Sequence, residues 1–118
     1  MYIKLKLNLP QVKSSIINYN IIDGKIIGLD DDRLYDFIIN IDGDLIIGKN
    51  HTKLSNKSKY VLFAGEIKLK DGKIYYINNN SGHYQPNLLE TMKFILYFKT
   101  YNILSKNLIV EYFNNFIK

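Results

Sequence analysis

Three Asp-Gly dipeptides, Asp23-Gly24, Asp42-Gly43 and Asp71-Gly72, constrain this chain more than any other local feature. Both central residues of a type I′ turn take positive φ, which Asp-Gly accommodates, and the twist of that turn matches the strands it joins. Each copy stands between β-prone residues. Ile21-Ile22 leads into Lys25-Ile26-Ile27, Tyr35 to Ile41 leads into Asp44 to Gly48, and Tyr60 to Leu69 leads into Lys73 to Asn78. Three hairpins in so short a chain predict a mostly antiparallel sheet.

The remaining elements follow from periodicity. From Tyr2 to Leu9, Ile3, Leu5, Leu7 and Leu9 alternate with Lys4, Lys6 and Asn8, the pattern of a half-buried strand. Pro10 ends it, and residues 12–20 fit either state. Ile67 and Leu69 alternate with Lys68 and Lys70 in the same way. One helix is expected over about 87–101, capped by Asn87 and closed by Glu90 three residues on, with Pro86 stopping the strand before it. Leu88, Met92, Ile95, Leu96 and Lys99 line one side, with Leu89, Phe94 and Phe98 nearby. So much apolar circumference predicts a helix that lies on the sheet and buries most of its surface. Leu108 to Phe113 reads as a closing strand. The expected fold class is α+β, a twisted and mostly antiparallel sheet built from hairpins with one principal helix packed on it, in a single domain over 1–118.

Composition narrows the function classes. The 118 residues include no cysteine, which removes disulfides, thiol catalysis and thiolate metal sites. No apolar run approaches the ~18 residues of a membrane span. The start, Met1-Tyr2-Ile3-Lys4-Leu5-Lys6, lacks the charged-then-apolar order of a secretory signal. The expected setting is the cytoplasm of a producing or target cell, with no membrane partner. The start on Met and a strand pattern leads to the expectation of a free-standing domain with no delivery domain ahead of it. The net charge of +5 favours a polyanion such as RNA. Yet Arg33 is the lone arginine among sixteen cations, and the guanidinium fork is the better phosphate and base reader. Lys, Ile, Asn and Tyr fill about half the chain, so A/T-rich codon usage is a second source of the charge.

Both histidines stand in polar, glycine-adjacent turns. His51 follows the second hairpin, and His83 lies in Ser81-Gly82-His83-Tyr84-Gln85-Pro86, between a strand exit and the helix cap. A helix N-terminus exposes backbone N–H groups, and a neutral imidazole there can serve as base, acid or donor near pH 7. Solvated turn residues without chemistry are the alternative for both. Two histidines brought together can cleave RNA without a metal or cofactor, one taking the 2′-hydroxyl proton and the other protonating the leaving oxygen. A lysine would steady the phosphorane charge. The loop bearing Lys49, Lys53, Lys57 and Lys59 is the candidate polyanion-binding segment. His51, Tyr84 and Glu111 form a second possible set, for ADP-ribosyl transfer from NAD. Asp30-Asp31-Asp32 lacks the spacing of a calcium loop and reads as a solvated turn.

The block His51-Thr52-Lys53-Leu54, Val61 to Ile67 with its Ala64-Gly65-Glu66 centre, Asp71-Gly72-Lys73-Ile74 and Asn80 to Pro86 resembles a module at the C-termini of bacterial polymorphic toxins and secreted effectors. The resemblance spans roughly residues 35–110. It implies a toxin or effector setting and marks His51, Glu66, Ser81, His83 and Tyr84 as site residues, without naming a reaction. The leading expectation is therefore an effector-like domain whose histidine-bearing turns cleave RNA. The alternative is a non-catalytic binding or inhibitor protein of a phage or mobile element, with a host protein as partner. Large aromatics at Tyr75-Tyr76, with the apolar tail Tyr112-Phe113-Phe116-Ile117, suggest self-association as a third class.

Overall fold

The computed structural model describes residues 16–49, 51–55, 59–81 and 84–114. The strand expected over residues 2–9 lies outside them. The described chain is α+β. Its elements are β1 (Asn20–Ile22), β2 (Lys25–Ile27), β3 (Tyr35–Ile39), β4 (Leu45–Gly48), α1 (His51–Leu54), β5 (Phe63–Lys70), β6 (Lys73–Asn78), α2 (Leu88–Lys99) and β7 (Leu104–Glu111). β1 and β2 form a two-stranded ribbon, and the other strands make one sheet in the order β4-β3-β5-β6-β7.

All three Asp-Gly pairs turn hairpins, two in the expected way. Asp23 and Gly24 have φ of 51° and 72°, and Asp71 and Gly72 have 51° and 77°, the double positive φ of a type I′ turn. The second differs. Ile39 pairs with Leu45, so the loop between β3 and β4 spans Asn40 to Asp44, and only Gly43 has positive φ. The Asn40 side chain is the reason. Its Oδ1 accepts the backbone N–H groups of Asp42 and Asp44, while Gly43 N donates to the Asn40 carbonyl, so the loop closes around an Asn rather than on two residues.

β6 and β7 are parallel, and α2 supplies the crossover that a parallel pair requires. The capping box is present: Asn87 Oδ1 accepts Glu90 N at 2.8 Å and Glu90 Oε1 accepts Asn87 N at 3.0 Å. The helix nevertheless buries a narrower stripe than its composition suggests. Thr91, Phe94 and Phe98 face the sheet, whereas Leu88, Leu89, Met92 and Leu96 are more than half exposed. Ring packing decides which stripe wins. Phe94 stacks on Phe63 with centroids 4.1 Å apart and planes 5° from parallel, meets Phe98 edge-on at 4.2 Å, and lies 5.5 Å from Phe37. Each such pair contributes ~0.5–1.5 kcal/mol beyond area burial. Turning Leu88 and Met92 inward would forfeit that cluster.

Strand alternation separates two faces. Tyr35, Phe37, Ile39, Ile47, Phe63, Ile67 and Leu69 pack with α2, while Ile38 and Ala64 pack with Leu54 of α1, with Ile46, Val61 and Tyr84 beside them. The α1 side is the thinner layer and leaves several polar side chains of the sheet partly open. Phe94→Ala is expected to lower unfolding stability by about 3–5 kcal/mol, and Leu96→Gln by less than about 0.5 kcal/mol, in urea denaturation. Comparable losses would place the buried stripe on the other side of the helix.

Candidate functional site on the polar sheet face

Register builds this site. Asp36 pairs with Gly48 and Glu66, Glu66 with Asn78, and Asn78 with Glu111, so one row crosses the whole sheet on the α1 side. His51 opens α1 above that row. Leu54, three residues on, is buried against Ile38 and Ala64, which fixes the turn on the sheet. The His51 ring then reaches two acceptors. Its Nε2 lies 2.6 Å from the Gly65 carbonyl oxygen, and its Nδ1 lies 4.0 Å from Asp36 Oδ2. A carbonyl oxygen only accepts, so Nε2 carries the proton of that bond. Only 11% of the side chain is exposed, against 27% for Asp36.

The centre of the row is Asn78, which is buried. Its Oδ1 accepts Glu66 N and Asn80 N, both at 2.9 Å, and its Nδ2 donates to Glu66 Oε1 at 3.1 Å and to the Tyr76 hydroxyl at 3.0 Å. Glu66 Oε1 also accepts the Asn80 amide at 3.0 Å. Tyr76 passes the chain on by donating to Glu111 Oε1 at 2.7 Å, while the Lys68 ammonium sits 5.3 Å from its ring centre. Burial pushes the Tyr76 phenol up, the Asn78 bond opposes that, and the Glu111 carboxylate adds to it. Asn79, also buried, points its amide the other way. It donates to the carbonyls of Pro86 and Phe113 and accepts Phe113 N, tying the strand exit to the helix cap and to the end of β7.

Ser81 is buried, and its Oγ accepts Tyr84 N at 3.3 Å. The Tyr84 hydroxyl meets Ser55 Oγ at 2.5 Å, just past α1. Burial raises the Tyr84 phenol above its ordinary value, with the Ser55 bond opposing the shift. Of the five residues expected to act, His51, Glu66, Ser81 and Tyr84 thus belong to the α1 side. His83 lies outside the described residues, as do Lys57 and the side chain of Lys53. Lys49 is exposed, and exposed Lys59 places its ammonium 5.8 Å from the Tyr60 ring centre. Glu111 stands three strand spacings from Asp36, roughly 14 Å, so the described residues do not bring it beside His51.

The three aspartates of 30–32 have local work. Asp30 meets Arg33 at 3.5 Å, Asp31 accepts Asp71 N, and Asp32 accepts the Tyr75 hydroxyl. Among the described residues, no group of three or more His, Asp or Glu side chains is placed to hold a metal ion. No helix among them is long and apolar enough to cross a membrane.

Sequence reading missed Asp36, Tyr76, Asn78 and Asn79. The signal was the run Asn78-Asn79-Asn80 at the end of a strand, since asparagine is depleted in strands and a buried one needs partners for its amide. No family model matches the chain, and searches of curated proteins and of solved structures return no significant match.

Asn78→Ala removes four hydrogen bonds and leaves the Glu66 and Asn80 N–H groups without this acceptor, so a loss of about 2–3 kcal/mol is expected in denaturant unfolding. The raised Tyr84 phenol gives a second expectation. Between the ordinary value of 10.0 and the raised one, the unfolded chain has lost a proton that the folded chain keeps. The stability contribution is therefore complete below pH 10.0 and is lost as pH rises through the raised value. Tyr84→Phe should flatten part of that alkaline decline in thermal melts, and an unchanged slope would remove Tyr84 as a source.

Proposed function

We propose that this domain is a non-catalytic recognition module that binds a protein partner through the polar, α1-bearing face of its sheet. The observation that carries this reading is the state of His51: Nε2 is committed to a backbone carbonyl, and Nδ1 faces a carboxylate. A general base needs a free lone pair aimed at the substrate. Here Nε2 has none, and a proton on Nδ1 would have Asp36 as its counterion. Glu66 is likewise drawn into two amide bonds. Side chains tied to one another in this way present a rigid pattern at little ordering cost, which favours binding.

The chemistry of the face suggests the partner. Asp36, Glu66 and Glu111 line one row, so a partner offering arginine, lysine or amide donors complements it, even though the whole chain is basic. Toxin and effector systems, or a phage or mobile element that inhibits a host protein, remain the proposed setting. Metal-independent RNA cleavage is the second reading. It is favoured by the pairing of Asp36 with Glu66, which places Glu66 next to the His51 contacts. In it Glu66 would take the 2′-hydroxyl proton.

Two assays decide between them. Purified protein incubated with total RNA in EDTA is expected to leave the RNA intact, and cleavage lost in Glu66→Gln would replace the recognition reading with the nuclease. An arginine-rich model peptide at low salt is expected to bind despite the opposing net charge. Affinity should fall about tenfold in Glu66→Gln/Glu111→Gln, the loss of two charge-assisted contacts. Equal affinity for the double variant would contradict the assignment of this face.

A further inference from the structure

On the other side of the sheet, where the β1–β2 ribbon meets the β3–β4 loop and the end of α2, three tyrosines wall a cavity of about 150 Å³. Tyr19, Tyr97 and Tyr101 form its aromatic sides, Ile21 and Ile103 contribute apolar surface, and Asp44 is the acidic residue of the lining. Among the described residues, no lysine or arginine lines this space. In a protein with a net charge of +5, the described lining of this cavity is aromatic and apolar, with Asp44 as its charged residue.

The rings are held in place by their hydroxyls. Tyr19 donates to the Leu45 carbonyl at 2.5 Å, and Tyr97 donates to the Gly43 carbonyl at 2.8 Å. The Tyr97 oxygen thereby becomes the acceptor for Tyr101, 2.9 Å away, and these two rings meet edge-to-face with centroids 5.2 Å apart. The polar tips are thus used on backbone and on each other, and the three tyrosines contribute to the lining with their hydroxyls already committed. The Asp44 carboxylate lies 3.5 Å from the Asn40 amide, a long contact. Its field reaches two walls. Burial first, then Asp44, raises the Tyr19 phenol, and Tyr97 is pushed up to about 12 by its bond with Tyr101, by burial and by the charges of Tyr101 and Asp44. Both of these raised phenols, Tyr19 and Tyr97, are neutral near pH 7.

We propose that this cavity is a binding site for an alkylammonium cation, such as a quaternary ammonium head or a methylated amine. Aromatic faces attract such a cation through their quadrupoles, most strongly where water is displaced, and a carboxylate balances its charge. The methyl groups bury apolar surface that a hydrated metal ion would lack. A cavity of about this volume accommodates a guest the size of benzene, comparable in bulk to a tetramethylated nitrogen.

The test compares choline with 3,3-dimethylbutan-1-ol, its uncharged carbon analogue, by following NMR shifts of Ile21, Tyr101 and Ile103 on titration. Choline is expected to saturate these shifts and to bind about tenfold more tightly than the alcohol. Asp44→Asn should weaken choline while leaving the alcohol unchanged. Tyr101→Leu, at an exposed wall that keeps its bulk, should do the same and serves if the first variant misfolds. Equal binding of the two ligands shows a merely apolar cavity and overturns the proposal. So does the absence of saturable shifts with choline, or undiminished choline binding by a folded variant.

Discussion

The close approach of β5 to the end of its neighbour β6, at Gly65 and Asn78, governs the rest of the molecule. A Cβ on Gly65 would stand 1.9 Å from the Asn78 carbonyl oxygen, closer than any side chain can sit. Only glycine permits the approach, and the approach lets the Asn78 amide satisfy Glu66 and Asn80 at once. The Gly65 carbonyl in turn anchors His51 and with it α1. One missing methyl thus positions the central polar residue, the nearby carboxylate and the histidine. A bulkier residue would have to push β6 away and would break all three links.

This arrangement divides the labour of the two faces. The α2 side is held by stacked phenylalanines, whose attraction is apolar and indifferent to pH. The α1 side is held by a hydrogen-bonded relay running from the Asn80 amide through Glu66, Asn78 and Tyr76 to Glu111. Such networks specify geometry when every member is satisfied, and no buried side-chain nitrogen or oxygen among the described residues lacks a partner. A face built in this way displays carboxylates and amides in fixed positions. The proposed recognition role rests on that fixity.

Local signals carried much of the fold. Asp-Gly pairs located all three hairpins because turn chemistry is decided by adjacent residues, and Asn87 with Glu90 located the start of α2 for the same reason. The failures have a common cause in long-range partners. Asn40 widened the second turn through its own side chain, and the buried stripe of α2 depended on Phe37 and Phe63, which lie far away in sequence. At the site, His51 and Tyr84 were legible as polar residues in turns. Asp36 and Asn78 were not, because a polar residue inside a strand becomes meaningful only once its register neighbours are known. Glu66 was marked only by the resemblance, and the structure adds the amides that hold it.

The claim that the histidine on this face is a fixed structural contact rather than a free acid–base group can be read from one spectrum. Long-range proton–nitrogen NMR correlations of the imidazole, assigned with His51→Ala, report which ring nitrogen carries the proton and whether it exchanges with water. The expected result is a protonated, slowly exchanging Nε2 held by the Gly65 carbonyl. A neutral ring protonated at Nδ1, with Nε2 open to solvent, would contradict it and return His51 to catalysis.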